Sequence, residues 1–198
     1  MDVINPATGA SFATVARASA QQADAAIAAA KAAQPAWGAL DFAERAAKLN
    51  ALADAIVARG DEFARLLTQE QGKPLPEAMG EVAWTEGFLR HYASLELPDR
   101  IIQDDEAGYI AVKHRPLGVV VGIIAWNFPL LVACWKIGPA VLAGNAIVLK
   151  PAPTTPATAL LLGELCRDIF PAGVVNIITA KPTDQFGASI TTSKVTWV

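Results

Sequence analysis

Two polar residues interrupt the apolar second half of the chain where chemistry could be done. Asn127 lies in Ala125-Trp126-Asn127-Phe128-Pro129, directly after the apolar run Val119-Val120-Val121-Gly122-Ile123-Ile124. Lys150 follows a second apolar run, Ala146 to Leu149, and opens Lys150-Pro151-Ala152-Pro153-Thr154-Thr155-Pro156. An amide can donate hydrogen bonds to an oxygen that gains negative charge during a reaction. A lysine ammonium can reach ribose hydroxyls or a phosphate as a point charge. Ligands of an open parallel sheet bind beyond the carboxyl ends of its strands, so these residues at adjacent strand ends would face one crevice. Each also has a plainer reading. Asn before an aromatic and a proline is ordinary turn chemistry, and a strand-end lysine is commonly solvated.

A nucleophile is harder to find. Cys134 is close to Asn127 in sequence, but it sits in an apolar helical stretch with no histidine or positive helix end to lower its pKa. Cys166 is similar, and both read as buried and inert. Neither belongs to a CxxC pair, and His91 and His114 stand apart from any ligand pattern, so no metal site is expected.

The elements that must position these residues follow from periodicity and punctuation. The first half reads as helices. An alanine-rich helix runs from Gln21 to Ala33 and ends before Pro35. A second starts at Asp41, with Glu44 as capping-box partner, carries Leu49, Leu52, Ile56 and Val57, and closes at Gly60. A third starts at Asp61, turns Phe63, Leu66 and Leu67 inward and ends at Gly72. A fourth runs from about Glu77 to Ser94, with Val82, Trp84, Phe88, Leu89 and Tyr92 as its apolar positions. Ile101 to Gln103, an acidic turn and Tyr109 to Val112 read as a β-hairpin. From Val119 strands alternate with helices: Val119 to Ile124, helix Leu130 to Leu142, Ala146 to Leu149, a helix capped by Thr155 and running to Asp168, Val174 to Ile178, a short helix Thr183 to Thr192, and a last strand at Val195 to Val198. That alternation indicates βαβ units and a parallel sheet.

Bulk properties narrow the function classes. Mean hydropathy is +0.34, which gives the chain ample apolar surface to bury and argues against disorder. The net charge is -3, and no basic stripe offers itself to nucleic acid. The start lacks the pattern of a secretory signal, so a cytoplasmic setting is expected. The uncharged window between Arg115 and Lys136 is long enough to span a bilayer, but Asn127, Phe128 and Pro129 interrupt it and its start is β-branched. No membrane partner is expected. The generic nucleotide signatures are also missing: no G-x-G-x-x-G follows a strand, and there is no Walker A loop. Periodicity alone supports only a nucleotide-binding α/β domain.

The motifs go further. Trp126-Asn127-Phe128-Pro129-Leu130, Trp135-Lys136-Ile137-Gly138-Pro139-Ala140, Ala143-Gly144-Asn145 and Val148-Leu149-Lys150-Pro151, in this order and spacing, resemble the aldehyde dehydrogenase superfamily. Asn5-Pro6-Ala7-Thr8-Gly9 resembles the family's opening, and Glu70-Gln71-Gly72-Lys73-Pro74-Leu75 one of its helix ends. The resemblance covers nearly the whole chain, from about Val3 to Val198. It implies oxidation of an aldehyde to an acid with NAD or NADP. In that reaction a cysteine thiolate attacks the aldehyde, hydride passes to the cofactor, and a glutamate-activated water releases the acid. By the same resemblance Asn127 is the oxyanion donor and Lys136 lies near the proton path. Lys150 stands beside the adenosine ribose. Ile124, Ala125 and Trp126 would line the cofactor through their backbone, together with Asn127, Ala152 and Pro153. Phe128 and Trp135 would line the route of the aldehyde.

Departures from the family pattern matter. An acidic residue that accepts both ribose hydroxyls is usual at Pro153, so the choice between NAD and NADP stays open. Ala180 stands where glycine is common, and Ser189 to Lys194 is shorter than usual. The sequence ends about where the family's phosphate-cradling Thr-Gly-Ser turn begins. The resemblance therefore implies that the base glutamate, the nucleophilic cysteine and the catalytic domain are absent.

The expected fold is α/β: a Rossmann-like parallel sheet with N-terminal helices and a β-hairpin excursion. Residues 1–98 form the helical part of the cofactor-binding domain, 99–117 the hairpin of an oligomerisation sheet, and 118–198 the βαβ part. The resemblance implies a homo-oligomer for a full-length protein acting on a small-molecule aldehyde, with this chain alone inactive. Two alternatives stay open: a non-catalytic fragment that binds nucleotide or joins subunits, and a remnant whose uncovered apolar faces deny it function.

Overall fold

The computed structural model describes residues 1–181 and the backbone of 196–197. The chain starts with a small antiparallel pair, β1 (Asp2–Ile4) and β2 (Ser11–Thr14). Four helices follow: α1 (Ala20–Ala39), α2 (Phe42–Ala58), α3 (Gly60–Gln71) and α4 (Leu75–Ala93). Next comes the hairpin of β3 (Arg100–Asp105) and β4 (Gly108–Val112). The alternating half holds β5 (Val119–Ile123), α5 (Pro129–Leu142), β6 (Ala146–Lys150), α6 (Ala157–Ile169), β7 (Val175–Ile177) and β8 (Thr196–Trp197). The last four strands form one parallel sheet in the order β7-β6-β5-β8. The expected Rossmann-like parallel sheet is present. The expected helix Thr183 to Thr192 and the segment Ser189 to Lys194 lie outside the described residues.

The sheet is buried on both faces, which is why its strands read as unbroken apolar runs. Val119, Val121, Ala146 and Val148 pack with Ala23, Ile27 and Ala30 of α1. Val120, Ile147 and Leu149 point to the other face, into a core shared with α2 to α6. Side chains alternate with period two, so each strand serves both layers. Gly122 sets the spacing on the α5 side. A methyl there would stand 2.7 Å from Leu149 Cδ2 and 3.2 Å from Lys136 Cβ, so both side chains would have to shift to admit it.

Several expected boundaries are corrected. The alanine-rich helix does not stop before Pro35. It passes through it to Ala39, because Trp37 beyond the proline is 1% exposed and its indole N–H donates to the Val141 carbonyl (2.9 Å). Tertiary anchoring thus outweighs the backbone bond that the proline removes. Arg59 ends α2, and Gly60 begins α3 instead of closing the helix before it. The Asp41–Glu44 capping box forms as expected, with reciprocal hydrogen bonds of 2.6 and 3.0 Å. Gly72 ends α3 in the left-handed region (φ 89°). On α4, Val82 and Leu89 are buried, but Trp84 and Phe88 are exposed. Val57 of α2 is likewise exposed. Thr155 does not cap α6: its hydroxyl is buried and finds no partner, and the helix runs to Ile169 with its first amides held elsewhere.

Candidate active site

The strand order gives the site its place. β6 and β7 lie successively to one side of β5, and β8 lies on the other, so the chain reverses direction of travel at β5. Ligands of doubly wound sheets bind at the carboxyl ends of strands around such a reversal. The loop that leaves β5 there is Ile124-Ala125-Trp126-Asn127-Phe128.

Register brings the second group to the same rim. Ile123 pairs with Lys150, and the Ile124 N–H donates to the Lys150 carbonyl (2.9 Å). The loops carrying Asn127 and Lys150 therefore leave neighbouring parallel strands at the same level. Ala125, Trp126 and Asn127 are exposed, while Ile124 is buried beneath them. Lys150, Ala152 and Pro153 are half-buried. A cavity of about 450 Å³ touches both loops through Trp126, Pro153, Thr154 and Thr155. Ile4, Pro6, Glu70 and Gln71 complete much of its wall. A second hollow of about 490 Å³ lies away from the strand ends, among Val57 to Glu62, Met79 and Val82. Its guanidinium, Arg59, is already tied to Glu62 (2.7 Å) and Glu164 (3.1 Å). The rim, with its convergent polar groups, is the better candidate.

Lys136 sits two turns into α5, half-buried, with its stem against Gly122 near the end of β5. Phe128 and Trp135 face a different way. They join α4 in an aromatic surface, with Phe128 6.2 Å from Trp84 and Trp135 5.1 Å from Phe88 between ring centroids. Trp84, Phe88 and Trp135 all remain exposed.

Neither cysteine reaches the rim chemistry. Both are buried and free. Burial pushes the Cys134 thiol well above its ordinary pKa, with Cys166 and Glu81 adding to the effect. Burial alone pushes Cys166 up to about 12. Neither yields thiolate near neutral pH.

Three buried ionisable residues at this site were given no role by the sequence, although Glu70 and Lys73 lie in the Glu70–Leu75 motif. Glu70, 3% exposed, accepts the backbone N–H groups of Ala157 (2.7 Å) and Thr158 (3.0 Å) and so caps α6. Burial pushes its carboxyl up to about 7, against the pull of those amides. Glu81, fully buried, accepts the N–H groups of Leu130 (2.9 Å) and Leu131 (3.1 Å) at the start of α5. The two helices that follow the two site strands are thus each capped by a glutamate from outside the sheet. Lys73, 8% exposed, is ion-paired with Glu81 and donates to the Asn127 carbonyl (3.0 Å). Its ammonium also lies 4.1 Å from the centroid of the Phe128 ring. A signal existed for the carboxylates: Glu70 continues the stripe Phe63, Ala64, Leu67, and Glu81 lies between Ala78 and Val82 on the buried face of α4. A charge on an apolar helical face needs a buried partner.

The sequence profile described as "Aldehyde dehydrogenase family" matches residues 1–197. The chain belongs to the aldehyde dehydrogenase family. It is 44% identical over 176 residues to the fluoroacetaldehyde dehydrogenase of Streptantibioticus cattleyicolor, covering 87% of this chain and 35% of that protein. Among solved structures it is similar to an NADP-dependent enzyme of E. coli, with 40% identity and a TM-score of 0.91 over 96% of this chain and 40% of the other. It is also similar to PnpE in complex with nicotinamide adenine dinucleotide, with 38% identity and a TM-score of 0.90 over 96% of this chain and 39% of the other. The chain therefore spans well under half the length of each of these three proteins. Among its described residues, no helix is long and apolar enough to cross a membrane.

Proposed function

We propose that this chain is the cofactor-facing part of an aldehyde-oxidising enzyme, holding NAD or NADP against the ends of β5 and β6. The reading rests on one observation: the Ile123–Lys150 register pair, which seats the Asn127 loop and Lys150 on one rim beside the strand reversal. The backbone of Ile124, Ala125, Trp126 and Asn127 would take one side of the cofactor, and Lys150, Ala152 and Pro153 the other. The rim fits such a group, because the exposed 125–127 loop and the loop that follows Lys150 border one cavity, through Trp126 on one side and Pro153, Thr154 and Thr155 on the other. Bound there, the nicotinamide supplies the acceptor for the hydride that leaves the aldehyde.

The chain's own residues then divide the work. The exposed Asn127 amide donates to the aldehyde oxygen as charge builds on it. Loss of such a donor costs about 3–4 kcal/mol of transition-state stabilisation. Lys136 lies beside the proton path. Phe128 and Trp135 line the approach of a small aldehyde. The nucleophile comes from outside these 198 residues, since the two thiols here are buried and protonated. Residues 1–98 and 118–198 act as one cofactor-binding unit, and 99–117 serve association between subunits in a homo-oligomer. The exposed hairpin also supports a narrower reading of the chain as a subunit-association fragment.

No carboxylate stands at 151–156, so that stretch does not itself repel a 2′-phosphate, and NAD+ and NADP+ are both candidates. Calorimetric titration of the 198-residue chain tests the proposal. Heat is expected with NAD+ and with NADP+, weakened by Lys150→Ala, and no aldehyde-dependent NADH should form. Absence of binding to either dinucleotide overturns the cofactor reading, and turnover by this chain overturns the assignment of the nucleophile.

A further inference from the structure

We infer that Lys73 and Glu81 are positioning residues that together set the conformation of the Asn127 turn. This rests on the reading of that turn as cofactor lining and oxyanion donor, and extends it to residues that touch neither ligand. Two charges have been carried into the core, at 8% and 0% exposure. Such a pair is seldom a good way to stabilise a fold, since apolar side chains of similar volume do as well or better. What this pair does with its remaining hydrogen-bonding capacity is specific. Apart from the bond between them, the hydrogen bonds of both side chains go to a single segment, residues 127–131. The Lys73 ammonium holds the carbonyl of Asn127, and the second oxygen of Glu81 holds the amides of Leu130 and Leu131. The Phe128 ring, between those contacts in sequence, lies under the same ammonium.

The turn is thus gripped at both ends by one ion pair, while its Asn127 side chain is left exposed. Gly72 and Pro74 flank Lys73 and deliver it from the α3–α4 junction. Glu81 reaches the site from the second turn of α4. An alanine-rich or purely apolar junction could pack α4 against α5 equally well. It could not choose one orientation for the Asn127 peptide, because apolar contacts carry no direction.

The double variant Lys73→Met/Glu81→Leu in the 198-residue chain tests this, because it removes both charges at once and leaves neither unpaired. Hydrogen exchange and thermal melting are measured together, with NAD+ titration alongside. The melting temperature should fall by a few degrees at most, because apolar packing offsets the lost ion pair while the Leu130 and Leu131 amides lose their acceptor. Exchange at Leu130 and Leu131 should rise about ten- to a hundredfold, the loss expected for charge-assisted bonds. The rise should be confined to 127–131, and NAD+ binding should weaken several-fold. Native-like exchange at Leu130 and Leu131 overturns the inference, as does a uniform rise across the core, which marks a merely structural pair. Lys150→Ala separates the two levels: if it leaves NAD+ binding intact the cofactor reading fails, while the exchange result still decides the role of the pair.

Discussion

The β3–β4 hairpin and the β5–β6 pair draw on the same apolar residue types and end in opposite surroundings. Ile101, Ile102, Tyr109, Ile110 and Val112 of the hairpin are between 40% and 57% exposed. Every residue from Val119 to Gly122 and from Ala146 to Leu149 is buried. β5 and β6 have helices on both faces and strand neighbours on both edges, whereas the hairpin strands pair with each other and with no third strand among the described residues. Branched and aromatic side chains make a strand, but they do not say what covers it. A two-stranded ribbon is marginal alone, so the hairpin is stabilised by whatever surface it meets.

Substitutions sharpen that contrast. Val121→Asp buries an unpaired carboxylate between α1 and the sheet and should cost well over about 2 kcal/mol, enough to abolish the cooperative melt followed by circular dichroism. Ile110→Asp on the hairpin should change monomer stability by no more than about 0.5 kcal/mol. Its effect should appear in sedimentation velocity, as loss of self-association. A hairpin variant that unfolds the chain, or a Val121→Asp protein that melts normally, breaks the comparison. Leu149→Ala, at 1% exposure, should cost about 2–5 kcal/mol, measured by urea denaturation.

Titration should also run in opposite directions at the buried cap of α6, beside the β6 end, and in the hairpin. Burial raises Glu70 to about 7 from an ordinary 4.5, so the folded chain holds that proton more tightly than the unfolded chain. Its contribution to stability is greatest below pH 4.5, falls as pH rises to about 7, and is level above that. The shift corresponds to about 3 kcal/mol. Glu70→Gln should flatten the decline. Asp105, fully exposed in the hairpin, is held below its ordinary pKa by the Gln103 side chain and then by the Ala107 amide. Its small contribution is present above pH 3.8 and is lost as pH falls below it. Thermal melts at stepped pH check both signs. The smallest effect expected is at Pro153: Pro153→Glu should leave stability unchanged and shift preference from NADP+ towards NAD+ in parallel titrations, by charge repulsion of the 2′-phosphate.

What could be read from the sequence follows the same division. The β-branched run at Val119, the Asp41–Glu44 box and the Gly72 stop are local, and each formed as expected. That Asn127 and Lys150 follow adjacent strand ends is legible too, but the Ile123–Lys150 register itself comes only from the structure. The residues that hold the rim are not local. Glu70 reaches 87 residues to Ala157, Glu81 reaches 49 to Leu130, and Lys73 reaches 54 to Asn127. Capping rules that look only at neighbouring residues gave α6 to Thr155 and could not find a cap supplied by another helix. Pro35 misled for a related reason, because the anchor of Trp37 lies on α5. Exposure of Trp84 and Phe88 is equally invisible, since an apolar stripe does not reveal which of its neighbours are present.

The central claim, that the loops after β5 and β6 form one cofactor rim, is tested most directly by mapping amide chemical shifts of the 198-residue chain during titration with NAD+. Perturbations concentrated at 124–127 and 150–153 are predicted. Perturbations centred on the hollow at Val57 to Glu62, or none at saturating NAD+, would contradict it.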